Sequence, residues 1–103
     1  MVKEITDTTF NEVLEQEKAI VDFWAEWCGP CKILGPRFEE LSQEMTDIKF
    51  YKLDVDANQQ TSSQFGVRSI PTLLLFKKGE KIGEIIGAYP KDMMKEKITE
   101  TFK

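Results

Sequence analysis

Ile20-Val21-Asp22-Phe23-Trp24-Ala25-Glu26-Trp27-Cys28-Gly29-Pro30-Cys31-Lys32-Ile33-Leu34-Gly35-Pro36 is the stretch on which the fold turns. Residues 20–25 form a nearly continuous apolar run, the pattern of a central strand covered on both faces. From Cys28 to about Met45 the apolar positions Leu34, Phe38, Leu41 and Met45 recur at steps of four, three and four, which predicts a helix beginning at the cysteines. Pro36 falls inside that helix and is expected to kink it. A buried strand therefore feeds a helix, with two cysteines at the junction.

Working outward, Val2–Ile5 reads as a short first strand. Thr9-x-x-Glu12 has the form of a capping box, with Phe10, Val13 and Leu14 as the helical stripe behind it, ending before Ala19. Ile48–Val55 reads as a strand and Asn58–Phe65 as a short polar helix ending at Gly66. Thr72–Phe76 and Lys81–Ile86 flank Lys78-Gly79, which predicts a hairpin. Pro90 opens a last helix with Met94, Ile98 and Phe102 on one face; Met93 and Met94 both read as helix packing. Strands and helices alternate and a hairpin plus helix closes the chain, so the expected class is an α/β sheet with helices on both faces and its last strand or two antiparallel.

The 103 residues fit a single domain, 1–103, and a chain of that size buries roughly 60 to 70% of its unfolded surface. With 41% hydrophobic and 31% charged residues, six glycines and four prolines, disordered and fibrous classes fit poorly. The net charge is −4 and the lysines are interspersed with acidic residues, so no nucleic-acid partner is expected. The longest apolar stretches, 70–76 and 20–25, are too short for a membrane span, and the N-terminal residues lack a secretion pattern; a cytoplasmic location is expected.

Two cysteines and no histidine are far from the density of a disulfide-held scaffold, so the pair reads as chemical. At a helix start the first N–H groups lack intrahelical partners and the macrodipole is positive, which favours a thiolate at Cys28. The three-residue spacing brings the sulfurs within bonding reach. Gly29 permits the tight turn, and Pro30 fixes φ where no N–H is needed. Cys28 is then the nucleophile toward a partner disulfide and Cys31 the resolving thiol. A CxxC is also half a zinc or iron–sulfur site, but one chain with no third cysteine and no histidine does not complete one, so no metal is expected.

Asp22 interrupts the apolar run six residues before Cys28. Burial there raises its pKa and makes it a candidate acceptor for the Cys31 proton; the alternative is a strand-end carboxylate reaching water or an ion pair. Lys52, within the apolar stretch 50–53, is the candidate cationic partner, although taken alone it reads as a solvated strand lysine. Ile70-Pro71-Thr72 precedes an apolar strand, where proline is tolerated at a beginning or bulge. Nothing local argues for a cis bond there.

The run from Asp22 to Lys32 around Cys28-Gly29-Pro30-Cys31, followed by Pro36, Lys52 and Asp54, Ile70-Pro71-Thr72-Leu73 and Gly87-Ala88, resembles the thioredoxin family in order and spacing over almost the whole chain. The resemblance implies the thioredoxin fold, a central mixed five-stranded sheet flanked by four helices, with Pro71 cis and facing the cysteines. It implies that the Ile70 backbone pairs with an extended partner segment. Trp27, Gly29, Pro30, Ile70, Pro71, Ile86 and Gly87 would form an apolar apron around Cys28. Trp24 is the core aromatic beneath the site and Trp27 the exposed one. Gly35, where the family often has alanine, loosens the helix by under about 1 kcal/mol, and Tyr89 before Pro90 leaves the last helix without a good cap.

The function expected from this is general protein-disulfide reduction by a monomer. It needs no cofactor beyond the Cys28–Cys31 disulfide, and its electrons come from a separate thioredoxin reductase, since no dinucleotide fingerprint is present. A disulfide oxidase or isomerase of the same fold would usually place a histidine between the cysteines, where Gly29-Pro30 stands here. A binding module with incidental thiols is the third class.

Overall fold

A computed structural model describes residues 1–103. Its elements run β1 (Val2–Glu4), α1 (Asn11–Leu14), β2 (Lys18–Trp24), α2 (Gly29–Glu44), β3 (Lys49–Asp54), α3 (Gln59–Gln64), β4 (Thr72–Lys77), β5 (Glu80–Ile86) and α4 (Lys91–Thr101). The strands form one mixed sheet ordered β1-β3-β2-β4-β5. β1, β3 and β2 are parallel, while β4 and β5 are antiparallel to their neighbours. The five-stranded mixed sheet with four helices is thus the architecture that the family resemblance implied, and the α/β class with its last strands antiparallel is the one the residue pattern predicted.

β2 lies at the centre because its residues are apolar on both faces. Ile20 joins Leu34, Phe38 and Leu41 of α2, Leu73 and Leu75 of β4, and Met94 and Ile98 of α4 in one core cluster. Val21 and Phe23 join Phe10, Val13, Leu74 and Phe76 in the other. Burial of each Leu, Ile or Phe contributes about 1.5–3 kcal/mol, so the two clusters hold α2 and α4 on one face and α1 on the opposite one. Asp22 shares the period-2 parity of Ile20 and hence the α2 face. β2 begins earlier than the apolar run, because Lys18 and Ala19 pair with Lys77 and Phe76. It stops at Trp24, after which the Ala25 carbonyl accepts the Cys28 N–H at 3.2 Å in a turn.

The hairpin closes through two residues with positive φ, Lys78 at 51° and Gly79 at 82°, the conformation that matches right-handed strand twist. Gly79 is required twice over, since a Cβ there would lie 2.9 Å from the Leu14 carbonyl oxygen. The Leu75/Phe76 register shift places a bulge at the exposed Ile82. α2 runs through Pro36, whose ring nitrogen has no hydrogen to donate to the Lys32 carbonyl.

Two local expectations are corrected, and one helix is capped from outside. The capping box does not form: Thr9 Oγ1 turns back to accept the Thr6 N–H at 2.9 Å, and Glu12 pairs with Lys3 at 2.7 Å. With only one turn of helix to cap, the loop from Thr6 to Thr9 satisfies itself instead. Helix α3 is capped from a distance, because the Asp7 carboxylate accepts the N–H groups of Gln60 at 3.3 Å and Thr61 at 2.9 Å. Met94 is fully buried, but Met93, one position around the helix, is 47% exposed.

Candidate active site

Cys28 is the N-cap of α2, in an extended conformation, and Pro30 occupies the first turn where its missing N–H leaves nothing unpaired. The helix begins here because Gly29 and Pro30 follow the Ala25–Cys28 turn directly. Cys28 Sγ accepts the Cys31 N–H at 3.2 Å, so one of the orphan donors of the helix start points at sulfur. The two cysteines are joined in a disulfide with their Cα atoms 5.3 Å apart, inside the range such a bond requires. Both are only 4% exposed and pack with Ala25, against the partly buried Trp24, Val55 and Ile70.

Asp22 lies on β2, the strand that leads into this pair. It is 4% exposed, paired in register with Lys52 of β3 and Leu73 of β4. Burial pushes its pKa from 3.8 up to about 7, with the positive charge of Lys52 pulling the other way. Lys52 acts through its field rather than by contact: its ammonium lies 5.5 Å from the centre of the Trp24 ring, and Asp22 Oδ1 has no hydrogen-bond partner. The expected Asp22–Lys52 ion pair is therefore a through-space coupling, with Lys52 held over the indole face by a cation–π contact. Trp24 is half-buried and its Nε1 is also unpartnered.

The Ile70–Pro71 bond is cis. Pro71 O accepts the Gly87 N–H at 2.9 Å, which ties the loop before β4 to the end of β5. Among the residues of the expected apron, Trp27 is 70% and Ile86 49% exposed, Gly29 and Pro30 are exposed, and Ile70 and Gly87 are half-buried. Pro71 differs from the rest of the expected apron in being buried. A crevice of about 470 Å³ beside β1 shares no residue with the expected apron, whereas a smaller one of about 200 Å³ is lined in part by Ile86. Two side chains that the sequence did not single out touch the site's margins. Asp56 Oδ2 accepts the Trp27 indole N–H at 2.8 Å, and Arg37 donates to the Tyr89 carbonyl at 2.8 Å. Neither lies in a motif, and their partners are 29 and 52 residues away in the chain.

No group of three or more His, Cys, Asp or Glu side chains is placed to hold a metal ion. No helix is long and apolar enough to cross a membrane.

The family model described as Thioredoxin matches residues 1–100. The chain belongs to the thioredoxin family. It is 48% identical over 99 residues to the thioredoxin of Listeria monocytogenes, covering 95% of this chain and 96% of that one. The thioredoxin of Rickettsia typhi is 49% identical over 104 residues, with 98% and 99% covered, and that of Bacillus subtilis 47% over 94 residues, with 90% of each covered. As a thioredoxin-family protein it is a thiol–disulfide oxidoreductase, and its redox-active disulfide is Cys28–Cys31. The chemistry available to that pair is dithiol–disulfide exchange: two electrons and two protons pass between the cysteines and a partner disulfide.

Proposed function

We propose that this chain is a general protein-disulfide reductase, acting as a single-domain monomer in the reducing cytoplasm and recharged by a separate thioredoxin reductase. The observation that carries the reading is the seat of Cys28 at the start of α2, where its sulfur already accepts the Cys31 N–H at 3.2 Å. In the reduced protein the same donor and the helix dipole favour the thiolate at Cys28. The thiolate attacks one sulfur of a partner disulfide, and the other sulfur leaves as a thiolate that takes a proton from water. Cys31 then loses its proton to the Asp22 carboxylate and attacks Cys28 Sγ, which re-forms the Cys28–Cys31 bond and releases the fully reduced partner.

An Asp22 pKa of about 7 suits a group that must accept that proton near neutrality and return it in the reverse reaction. In this scheme Lys52 keeps the carboxyl from being locked in its protonated form. Trp27, Ile70, Pro71, Ile86 and Gly87 form the platform, on which an extended partner segment bonds through its backbone to Ile70 and so is selected weakly by sequence. Gly29 and Pro30 complete the rim. The dithiol itself stores both electrons, so the scheme needs no bound cofactor or metal, and a reducing compartment keeps it charged.

The test couples insulin disulfide reduction to NADPH through a bacterial thioredoxin reductase. Sustained NADPH oxidation that depends on this chain is expected. Reduction of insulin by the dithiothreitol-charged chain with no NADPH turnover would remove the reductase from the scheme, and no reduction at all would overturn it.

A further inference from the structure

The four residues Gly87-Ala88-Tyr89-Pro90 join β5 to α4 and carry one side of the proposed partner platform. This bridge is poorly anchored by its own sequence. Gly87 is in a left-handed conformation at φ 108°, and α4 begins at Pro90 with no side-chain cap. Two hydrogen bonds from outside tie it down. At one end the Gly87 N–H donates to Pro71 O at 2.9 Å. At the other, Arg37 Nη1 donates to Tyr89 O at 2.8 Å.

Arg37 lies on α2, six residues after Cys31, and is half-buried. It takes part in none of the molecule's ion pairs; its neighbour Glu40 is engaged by Lys91 at 3.3 Å. The charge-assisted bond of Arg37 goes instead to the Tyr89 main-chain carbonyl. The Tyr89 ring, with Lys97 Nζ 4.8 Å from its centre, packs against the α2–α4 core cluster and lies 3.9 Å from where a Gly87 Cβ would stand. The disulfide helix, the Gly87–Pro90 bridge and the Pro71 loop are thereby locked into one frame.

We infer that Arg37 is a positioning residue for partner binding: through the Tyr89 carbonyl it fixes the distance between the active-site helix and the Ile86–Gly87 side of the platform. The inference rests on the proposed platform. A protein disulfide must bridge that distance, whereas a small aromatic disulfide meets only the sulfur.

The experiment compares kcat/KM for insulin with kcat/KM for 5,5′-dithiobis(2-nitrobenzoate) in wild type, Arg37→Met and Arg37→Lys, with the Cys28–Cys31 potential measured for each. Loss of one charge-assisted bond at a half-exposed site predicts that Arg37→Met lowers the insulin to small-disulfide ratio about fivefold to tenfold, mostly through KM. The lysine variant, which keeps a donor, recovers at least half of that ratio, and the potentials coincide. An unchanged ratio in Arg37→Met overturns the inference. So does an equal fall for both substrates or a shifted potential, since either places the effect on stability or on the dithiol itself. Failure of wild type with insulin while the small disulfide is reduced would instead remove the platform reading on which the inference stands.

Discussion

Replacing Cys31 by serine is expected to leave the chain covalently joined to its partner, while replacing Cys28 leaves it inert. With Cys28 intact, the first attack proceeds and forms a mixed disulfide; without the Cys31 thiol, nothing inside the site cleaves it. The adduct accumulates and is read as a mass increase on non-reducing gels, reversed by dithiothreitol. Cys28→Ser forms no adduct, and its insulin-reducing activity falls by roughly a thousandfold or more, as follows loss of a nucleophile in other enzymes. Both variants keep the α2 start, because Gly29, Pro30 and the turn from Ala25 remain. Adducts trapped on Cys31 in the Cys28→Ser variant would reverse the two roles, and equal trapping by both would remove the division of labour.

The second large effect concerns stability. Asp22 has a folded-state pKa of about 7 against an ordinary 3.8, raised chiefly by burial. Below pH 3.8 the carboxyl is neutral in folded and unfolded chain alike, and no penalty exists. As pH rises from about 4 to 7 the unfolded chain loses a proton that the folded chain keeps, so stability falls. Above about pH 8 the folded protein carries a buried, unpartnered carboxylate at the full penalty, which for about three pKa units is roughly 4 kcal/mol. Asp22→Asn abolishes that titration. The oxidised variant is therefore expected to be more stable than wild type by several kcal/mol at pH 8.5, a rise in Tm of more than about 10 °C, and nearly equal to it at pH 3.5. Calorimetry across that range checks the prediction, and parallel pH profiles for the two proteins would contradict it. The same variant loses the proton acceptor for Cys31, so its turnover at pH 7 falls by about a hundredfold. Higher stability at pH 8.5 together with slower turnover in this one variant would mark Asp22 as a functional group by its energetics.

The architecture was legible wherever a local pattern mirrors a tertiary fact. The apolar run at 20–25 announced a strand covered twice because α2 and α4 take one face and α1 the other. Leu34, Phe38 and Leu41 announced α2, and Lys78-Gly79 marked the tightest turn. The cysteine pair was legible for the same reason, since a helix start, a tight turn and two thiols all lie within four residues. What could not be read was set by contacts between distant segments. Asp7 caps α3 across more than fifty residues, and Thr9 abandons the capping box for Thr6. Lys52 faces Asp22 but settles over Trp24. The cis bond before Pro71 left no local signature and was expected only through the family resemblance. Asp56 and Arg37 touch the site's edges through single hydrogen bonds that no spacing rule encodes.

A reductase needs Cys28 and Cys31 to form a two-electron couple poised to give electrons away. Equilibrating the chain against graded dithiothreitol or glutathione buffers under metal-free conditions, and counting free thiols by alkylation mass shift, tests it directly. A single two-electron transition is expected at or below the cytosolic glutathione poise of roughly −220 to −260 mV. A transition near −120 to −180 mV, where disulfide oxidants and isomerases work, would contradict it, as would a pair that never closes its disulfide.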